Sequence, residues 1–416
     1  MAPRLSVVVA SAGDAQRLDE VVAPLIDEVA GTGGEIVVVV FGRGGRDLRQ
    51  VGWQPPATAA VRVVAESVGG INAARNRGAR EASGEVLLFL DDDVVPEPGL
   101  VASHIRGQAP NKFTVGDRRA PSPTRRTIAS RRDWLEGAVA WAEYLDHRGQ
   151  HDTPASLGFR DVTGCNLALS RADFLAQGGF DEALASGLRG GWELGHRLMA
   201  AGFELVYVPV ARVSRRLGSP SIRSLVAGAR GDGMSDVGIA RRHPDLVRGL
   251  PIAEPVRGWR GRLGRAVLRA PWLAALANVI AVAQLLARVA GLSDLSRRLR
   301  DAMLTAAYWG GVRAALDTRW ALQEIIACAP APERILVDLE HALPDRLPVP
   351  TGVPAELVVR LDGKELDSVD LPAWASRSRT DVARRIVAGL DTDALARNVA
   401  VQRSLPLDPG ADDEHG

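Results

Sequence analysis

A mainly parallel, Rossmann-like α/β sheet with helices on both faces is what the first 215 residues predict, and three observations carry that reading. Short apolar runs alternate with helical stretches in chain order. The runs are rich in valine and free of polar interruptions, as strands covered on both faces require. One of them stops abruptly in three aspartates, at the carboxyl end where such sheets bind their ligands.

Leu5–Ala10 is the first strand, a helix follows around Leu18–Val29, and Glu35–Phe41, with four consecutive valines, is the second strand. Val61–Val64 is a third strand, Asn72–Ala82 a helix, and Glu85–Leu90 a buried strand leading into Asp91, Asp92 and Asp93. Residues 117–133 hold six arginines and two prolines and read as a loop. A helix Arg171–Gln177, a helix Glu193–Ala201 and a strand Glu204–Val208 complete a domain of residues 1–250, closed by Pro244, Pro251 and Pro255. An Ala- and Leu-rich helical region, 251–330, comes next. Residues 331–400 form a small α+β appendage: Ala355–Leu361 and Glu365–Leu371 pair across Asp362-Gly363, and a helix Arg379–Leu390 follows. The acidic stretch 401–416 reads as a disordered tail.

A net charge of +1 over 416 residues supplies no field for a polyanion, and aromatic residues are too few for a base-stacking platform. Nucleic acid is thereby excluded as a partner. Only Lys112 and Lys364 are lysines, and the arginine excess reflects the background composition of the chain. Two cysteines, Cys165 and Cys328, build neither a disulfide framework nor a zinc site, which fits a reducing, cytoplasmic setting. Leu5–Ala10 is shorter than the roughly 7–15 apolar residues of a signal peptide.

Ala270–Ala287 carries no charge for 18 residues, yet Pro271, Asn278 and Gln284 make it a poor spanning helix. Arg257, Arg260, Arg262, Arg265 and Arg269 lead into it. Two readings stand: a helix lying on anionic lipid at the inner face of the plasma membrane, or a buried helix with a solvated basic approach.

The strongest chemical signal is Asp91-Asp92-Asp93 at the end of an apolar strand. Three adjacent carboxylates repel unless solvated or neutralised, and hard oxygen donors suit Mn²⁺ or Mg²⁺ held together with a diphosphate. An acidic turn after a strand is the plainer reading. Upstream, Gly69-Gly70-Ile71-Asn72-Ala73-Ala74-Arg75-Asn76-Arg77-Gly78 places glycines before a helix, where backbone can approach an anion closely, and an arginine able to pair with phosphate or hold an aspartate. A helix cap would look the same.

Taken together, these segments resemble the family-2 glycosyltransferases, which have the GT-A fold. The likeness covers about the first 215 residues: Ser6–Gly13 as opening strand and loop, Gly70 with Ala74–Gly78, the Asp-x-Asp end at Asp91–Asp93, Val162–Arg171 with its Gly-x-Asn, and Gly178-Gly179-Phe180-Asp181-Glu182. The resemblance implies sugar transfer from a nucleoside-diphosphate sugar to a hydroxyl of a glycan or lipid-linked acceptor, with inversion, in polysaccharide or cell-envelope assembly. It implies that Ser11, Asp14, Arg75, Asn76, Asp91, Asp92 and Arg215 serve the donor, that Asp91 and Asp93 hold the metal, and that Gly164, Asn166 and Asp181 lie at the acceptor.

The departures are specific. Val39-Val40-Phe41-Gly42-Arg43 stands where the family has an aspartate pair for the nucleoside, with Asp14 or Glu66 as substitutes. The family's base position falls on Gly191, in Gly190-Gly191-Trp192-Glu193-Leu194, which leaves Glu193 as the nearest carboxylate, either base or helix-start residue. The family's metal-site histidine falls on Arg215, which can bind diphosphate directly. An enzyme with an altered donor site and a binding module that keeps only the fold are the two readings. A dinucleotide enzyme is disfavoured because Ser11-Ala12-Gly13-Asp14 is not a Gly-x-Gly-x-x-Gly turn. His104, His147, His151, His196 and His243 show no metal-ligand spacing, and Trp134 and Trp141 fit either an acceptor wall or a helix core.

Overall fold

The computed structural model describes residues 4–42, 52–56, 60–66, 69–119, 158–215, 222–253, 258–289, 292–318, 321–329, 333–338, 355–361 and 363–371, with a few single positions beside them. It comprises two compact units, Met1–Ala329 and Pro330–Gly416. Trp134, Trp141, His147 and His151 lie outside the described residues.

The first unit is built on eight strands: β1 (Leu5–Ser11), β2 (Glu35–Phe41), β3 (Val61–Glu66), β4 (Val86–Asp91), β5 (Val94–Pro96), β6 (Lys112–Arg119), β7 (Leu167–Ser170) and β8 (Glu204–Arg215). Their order is β3-β2-β1-β4-β7-β6-β8-β5. The half predicted from the valine runs, β3-β2-β1-β4, is parallel throughout. The other half is mixed: β7 runs antiparallel to both β4 and β6, β8 is parallel to β6, and β5 pairs antiparallel with β8.

Alternation within each strand makes two cores. Val7 and Val9 point with Val38, Leu88 and Leu90 toward Leu18, Val21 and Val22 of α1 (Ala15–Val22), Val29 of α2 (Ile26–Gly31) and Leu100 and Val101 of α4 (Leu100–Gly107). Val8 and Ala10 point with Val39, Leu87 and Phe89 to the opposite face. There they meet Ala74 and Ala79 of α3 (Ile71–Glu81), Phe174 of α5 (Arg171–Ala176) and Leu194 and Leu198 of α6 (Gly187–Ala200). Two-sided burial is why these strands show no polar alternation in the sequence.

Several boundaries differ from expectation. The helix predicted over Leu18–Val29 is broken by a 3-10 turn at Ala23–Leu25, where Pro24 removes a backbone donor. α6 starts six residues before the predicted Glu193, capped by the Ser186 hydroxyl accepting from Arg189 N at 3.2 Å, so Gly190 and Gly191 are helical despite their low propensity. Asp117, Arg118 and Arg119, expected in a loop, are the last residues of β6, paired in parallel with Arg212, Val213 and Ser214.

α7 (Ile222–Arg242), α8 (Gly258–Arg269), α9 (Leu276–Val289), α10 (Ser293–Ala315) and α11 (Ala321–Ala327) belong to the same unit as the sheet. A buried network joins α7 and α10 to α6: Arg189 pairs with Asp236 of α7 at 2.5 Å, and the Tyr308 hydroxyl of α10 donates to the same carboxylate at 2.6 Å.

The second unit holds a three-stranded sheet. β9 (Glu333–Asp338) is parallel to β10 (Ala355–Leu361), and β10 is antiparallel to β11 (Lys364–Leu371), the predicted hairpin, with Gly363 at φ +69° in its turn. Val382 and Ile386 pack beneath this sheet with Leu357 and Val359. Most of the helix expected over Arg379–Leu390 lies outside the described residues.

Candidate active site

β4 delivers Asp91, Asp92 and Asp93 to the carboxyl end of the parallel strands, and each is met from a different direction. Arg75, from the middle of α3, has a side chain only 1% exposed; its Nη2 donates to Asp91 Oδ1 at 2.8 Å and its Nη1 to Gly187 O at 3.0 Å. The ring of Phe180 lies 5.1 Å from the guanidinium carbon. Arg75 Nε is buried without a hydrogen-bond partner. Gly164, at φ +71°, leaves the space Arg75 needs, since a Cβ there would stand 2.6 Å from Nη1.

Asp92 accepts from the buried Ser11 hydroxyl at 2.6 Å, and Ser11 in turn accepts from Gly13 N at 3.0 Å. Arg17 Nη1 stands 3.7 Å from the other carboxylate oxygen of Asp92. Arg118 of β6 neighbours Asp93, Asp91 and Cys165; burial alone would lower its pKa, but the surrounding groups outweigh that and raise it. On the far side, residue 215 pairs through its main chain with Val94, one residue past Asp93.

Burial raises the pKa of Asp91, Arg75 opposes the shift, and Asp93 adds to it. Asp92 is likewise raised by burial, with Ser11 and Arg17 opposing and the other two aspartates adding to the shift. Burial is the largest cause of both shifts and the neighbouring carboxylates add to it; three clustered carboxylates are hard oxygen donors of the kind a divalent cation would fit.

Other predicted site residues are placed differently. Asn76 is spent on the 178–182 loop: its Nδ2 donates to Phe180 O and Glu182 Oε1, both at 2.8 Å, and its Oδ1 accepts from Phe180 N. Asn166, at φ +58°, is fully buried; Nδ2 donates to Asp117 O at 3.1 Å and Ala211 O at 2.9 Å, while Oδ1 accepts from His104 Nε2 at 2.9 Å. It ties β6 and β8 to α4 and has no polar atom left for an acceptor. Asp181 pairs with Arg242 and accepts from Ala183 N at 2.9 Å. Asp14 caps α1, accepting from Arg17 N at 3.2 Å. Glu66 ends β3, at the edge of the sheet.

Glu193, expected as either base or helix-start residue, lies in the body of α6. It is buried, held by Arg197 through two contacts of 2.6 and 2.8 Å, and lies 3.1 Å from His243 Nε2. Burial pushes its pKa up, but the hydrogen bonds from His243 and Arg197, with their charges, prevail and hold it at about 2. Such a carboxylate is a poor proton acceptor near neutral pH.

Nor is Gly191 an empty base position. A Cβ there would stand 2.3 Å from Val162 O and 2.6 Å from Gly164 N, and one on Gly190 would meet the Asn72 amide at 2.4 Å. The backbone of 162–164 and the start of α3 occupy that space. Arg118 escaped the sequence reading because its Arg- and Pro-rich surroundings look like a loop.

Residues 3–227 match the model of the family described as glycosyltransferase like family 2. The chain belongs to that family. Two curated proteins, each named validoxylamine A glucosyltransferase, from Streptomyces hygroscopicus subsp. jinggangensis and subsp. limoneus, are 30% identical over 224 residues, or 48% of this chain. The match covers 51% and 47% of them, so the chain spans about half the length of these relatives. Among solved structures, a mannosyltransferase from Pyrobaculum calidifontis in complex with GDP-Man and Mn²⁺ aligns over 76% of this chain and 87% of its own, at 19% identity and a TM-score of 0.46. Family membership agrees with the α/β, GT-A-type class expected from the sequence.

Proposed function

We propose that this chain transfers a sugar from a nucleoside-diphosphate sugar to a hydroxyl acceptor. The observation that carries the reading is the fixed group Ser11, Arg75, Asp91, Asp92 and Asp93 at the carboxyl end of the parallel strands, with Arg118 beside it and the main chain of Arg215 opposite Val94. Asp91 and Asp93 would hold Mn²⁺ or Mg²⁺, and such an ion supplies charge neutralisation to the departing diphosphate. The guanidinium of Arg215 is assigned to the diphosphate as well. In the transfer the acceptor oxygen bonds the anomeric carbon, the bond from that carbon to the diphosphate breaks, and the hydroxyl proton is released. For inversion and for an acceptor in polysaccharide or envelope assembly, the support is the family resemblance alone. The curated relatives are named glucosyltransferases, which makes UDP-glucose the first donor to try.

The test is calorimetric titration of the whole chain with UDP, GDP and their sugars, with and without Mn²⁺, and again with Asp93→Ala. Metal-dependent binding that the substitution abolishes is the expected result. If the folded chain binds no nucleotide, the closed Gly190–Gly191 region favours the second reading, a binding module without transfer activity.

For the helical region we propose an anionic lipid surface as partner, at the cytoplasmic face of the membrane. α9 is packed inside out: Ala277 and Ala281 face Met303, Ala306 and Ala307 of α10, whereas Val279, Val282 and Leu286 are 64%, 59% and 64% exposed and Trp272 is 69% exposed. Arg262, Arg265 and Arg269 on α8 are exposed too. Aliphatic groups with a tryptophan and arginines suit the boundary between headgroups and acyl chains. No single helix among the described residues is long and apolar enough to cross a membrane. The chain is expected to sediment with vesicles containing phosphatidylglycerol and not with phosphatidylcholine alone, and Leu286→Asp to weaken sedimentation. A dimer in solution that ignores both vesicles would overturn this partner.

A further inference from the structure

α6 is clamped to the end of α7 by residues to which the proposed transfer assigns no role. His196 comes from the carboxyl-terminal half of α6; His243 and Asp245 flank Pro244, at the junction of α7 with the 3-10 turn Pro244–Gly249. His196 Nε2 is 3.2 Å from Asp245 Oδ2, and the imidazole rings stand 5.0 Å apart at 70°. One donor atom from each of the three residues lies within 4.8 Å of the others. All three side chains are partly buried, at 16%, 20% and 38% exposure, and the ring of Phe159 walls one side, 6.3 Å from His196.

We propose that His196, His243 and Asp245 form a binding site for a borderline transition-metal ion, Zn²⁺ first, separate from the aspartates of β4. Two imidazole nitrogens and one carboxylate are donors that Zn²⁺, Co²⁺ and Ni²⁺ favour and that Mg²⁺ does not. Ligand bonds of about 2.0–2.2 Å place tetrahedral donor atoms roughly 3.3 Å apart, so modest side-chain rotations close the present spacing. An outer partner is already in place: Glu193 Oε1 is 3.1 Å from His243, and Arg197 pins that carboxylate by two contacts. Carboxylates hydrogen-bonded to metal-bound histidines orient them in this way. With one negative charge on Asp245 and the Glu193 charge offset by Arg197, the pocket favours a cation.

The consequence is mechanical. An ion there would cross-link α6, whose Gly190 and Gly191 lie against Asn72 and the 162–164 turn, to the end of α7. Binding would therefore stabilise the sheet unit without touching the donor.

The chelator-stripped chain is titrated with Zn²⁺ and, in parallel, with Mg²⁺. Co²⁺ is used to read a d–d absorption band, and thermal unfolding is followed for each. One Zn²⁺ per chain, a raised Tm, and at least tenfold weaker binding by Asp245→Asn and His196→Gln, with nucleotide titrations unchanged, are the expected results. Circular dichroism confirms that each variant folds. Zn²⁺ binding that both variants retain, or no Zn²⁺ binding by the folded parent, overturns the proposal.

Discussion

Arg75 and Asp91 are joined by a 2.8 Å ion pair whose cation is almost wholly buried and whose anion is mostly so. The arginine gives up its hydration to hold one carboxylate, one main-chain carbonyl and the face of Phe180. The pair is thereby committed to a single geometry.

Removing the cation leaves Asp91 buried among other carboxylates. Arg75→Met is expected to lower unfolding free energy by about 3 kcal/mol, within the range for breaking buried pairs. Arg75→Lys, which keeps the charge but not the fork, should fall between that variant and the parent. Urea denaturation followed by circular dichroism measures both, and a Met variant with the parent's midpoint would refute the role.

Gly191 allows a direct test of whether the family's base can be restored. Gly191→Asp should yield no gain in transfer, and Gly191→Ala alone should cost about 2–3 kcal/mol, because even a methyl group runs into the Val162 carbonyl. A stable, more active Asp variant would show that the 162–164 turn yields easily.

His104 predicts an acid sensitivity of known sign. Burial, only partly opposed by its hydrogen bond to Asn166, lowers its pKa to about 4. The unfolded chain takes up the proton near pH 6.5 and the folded chain does not until about 4. Its contribution is therefore whole above pH 6.5 and declines as pH falls through that window, by about 1.4 kcal/mol per unit. Urea midpoints at pH 7, 5.5 and 4.5 should drop less steeply in His104→Gln than in the parent.

The thiols should differ sharply. Cys165 is buried, and burial with Asp91 nearby pushes its pKa up to about 12, whereas Cys328 is exposed. A thiol-reactive dye should label one cysteine per native chain and two after denaturation. Rapid labelling of both in the native chain would contradict the packing of Cys165 beneath the aspartates.

Local pattern reaches as far as local cause. The four valines of β2 and the run before Asp91 were readable because burial on both faces leaves a mark in every residue of the strand. The short antiparallel pieces β5 and β7 carry too few residues to leave one. Among site residues, Arg75 and the three aspartates were legible from glycines and charges nearby. The packing of Asn76, Asn166 and Glu193 was not legible, because what an amide or a carboxylate holds depends on its partner, and Phe180, His104 and His243 are distant in sequence. His196 and His243 looked unrelated for the same reason, since only the packing of α6 on α7 brings them together.

The fit of Gly190 and Gly191 against their neighbours also bears on the history of the chain. A vacant base position could be refilled by one substitution, so its loss would be readily reversed. Here the backbone of 162–164 and the Asn72 side chain fill the space beside the two glycines, and a side chain at 191 would need the 162–164 turn to withdraw. The two glycines act as a ratchet: a chain with this packing accepts no carboxylate at 191 until the turn beside it is rebuilt.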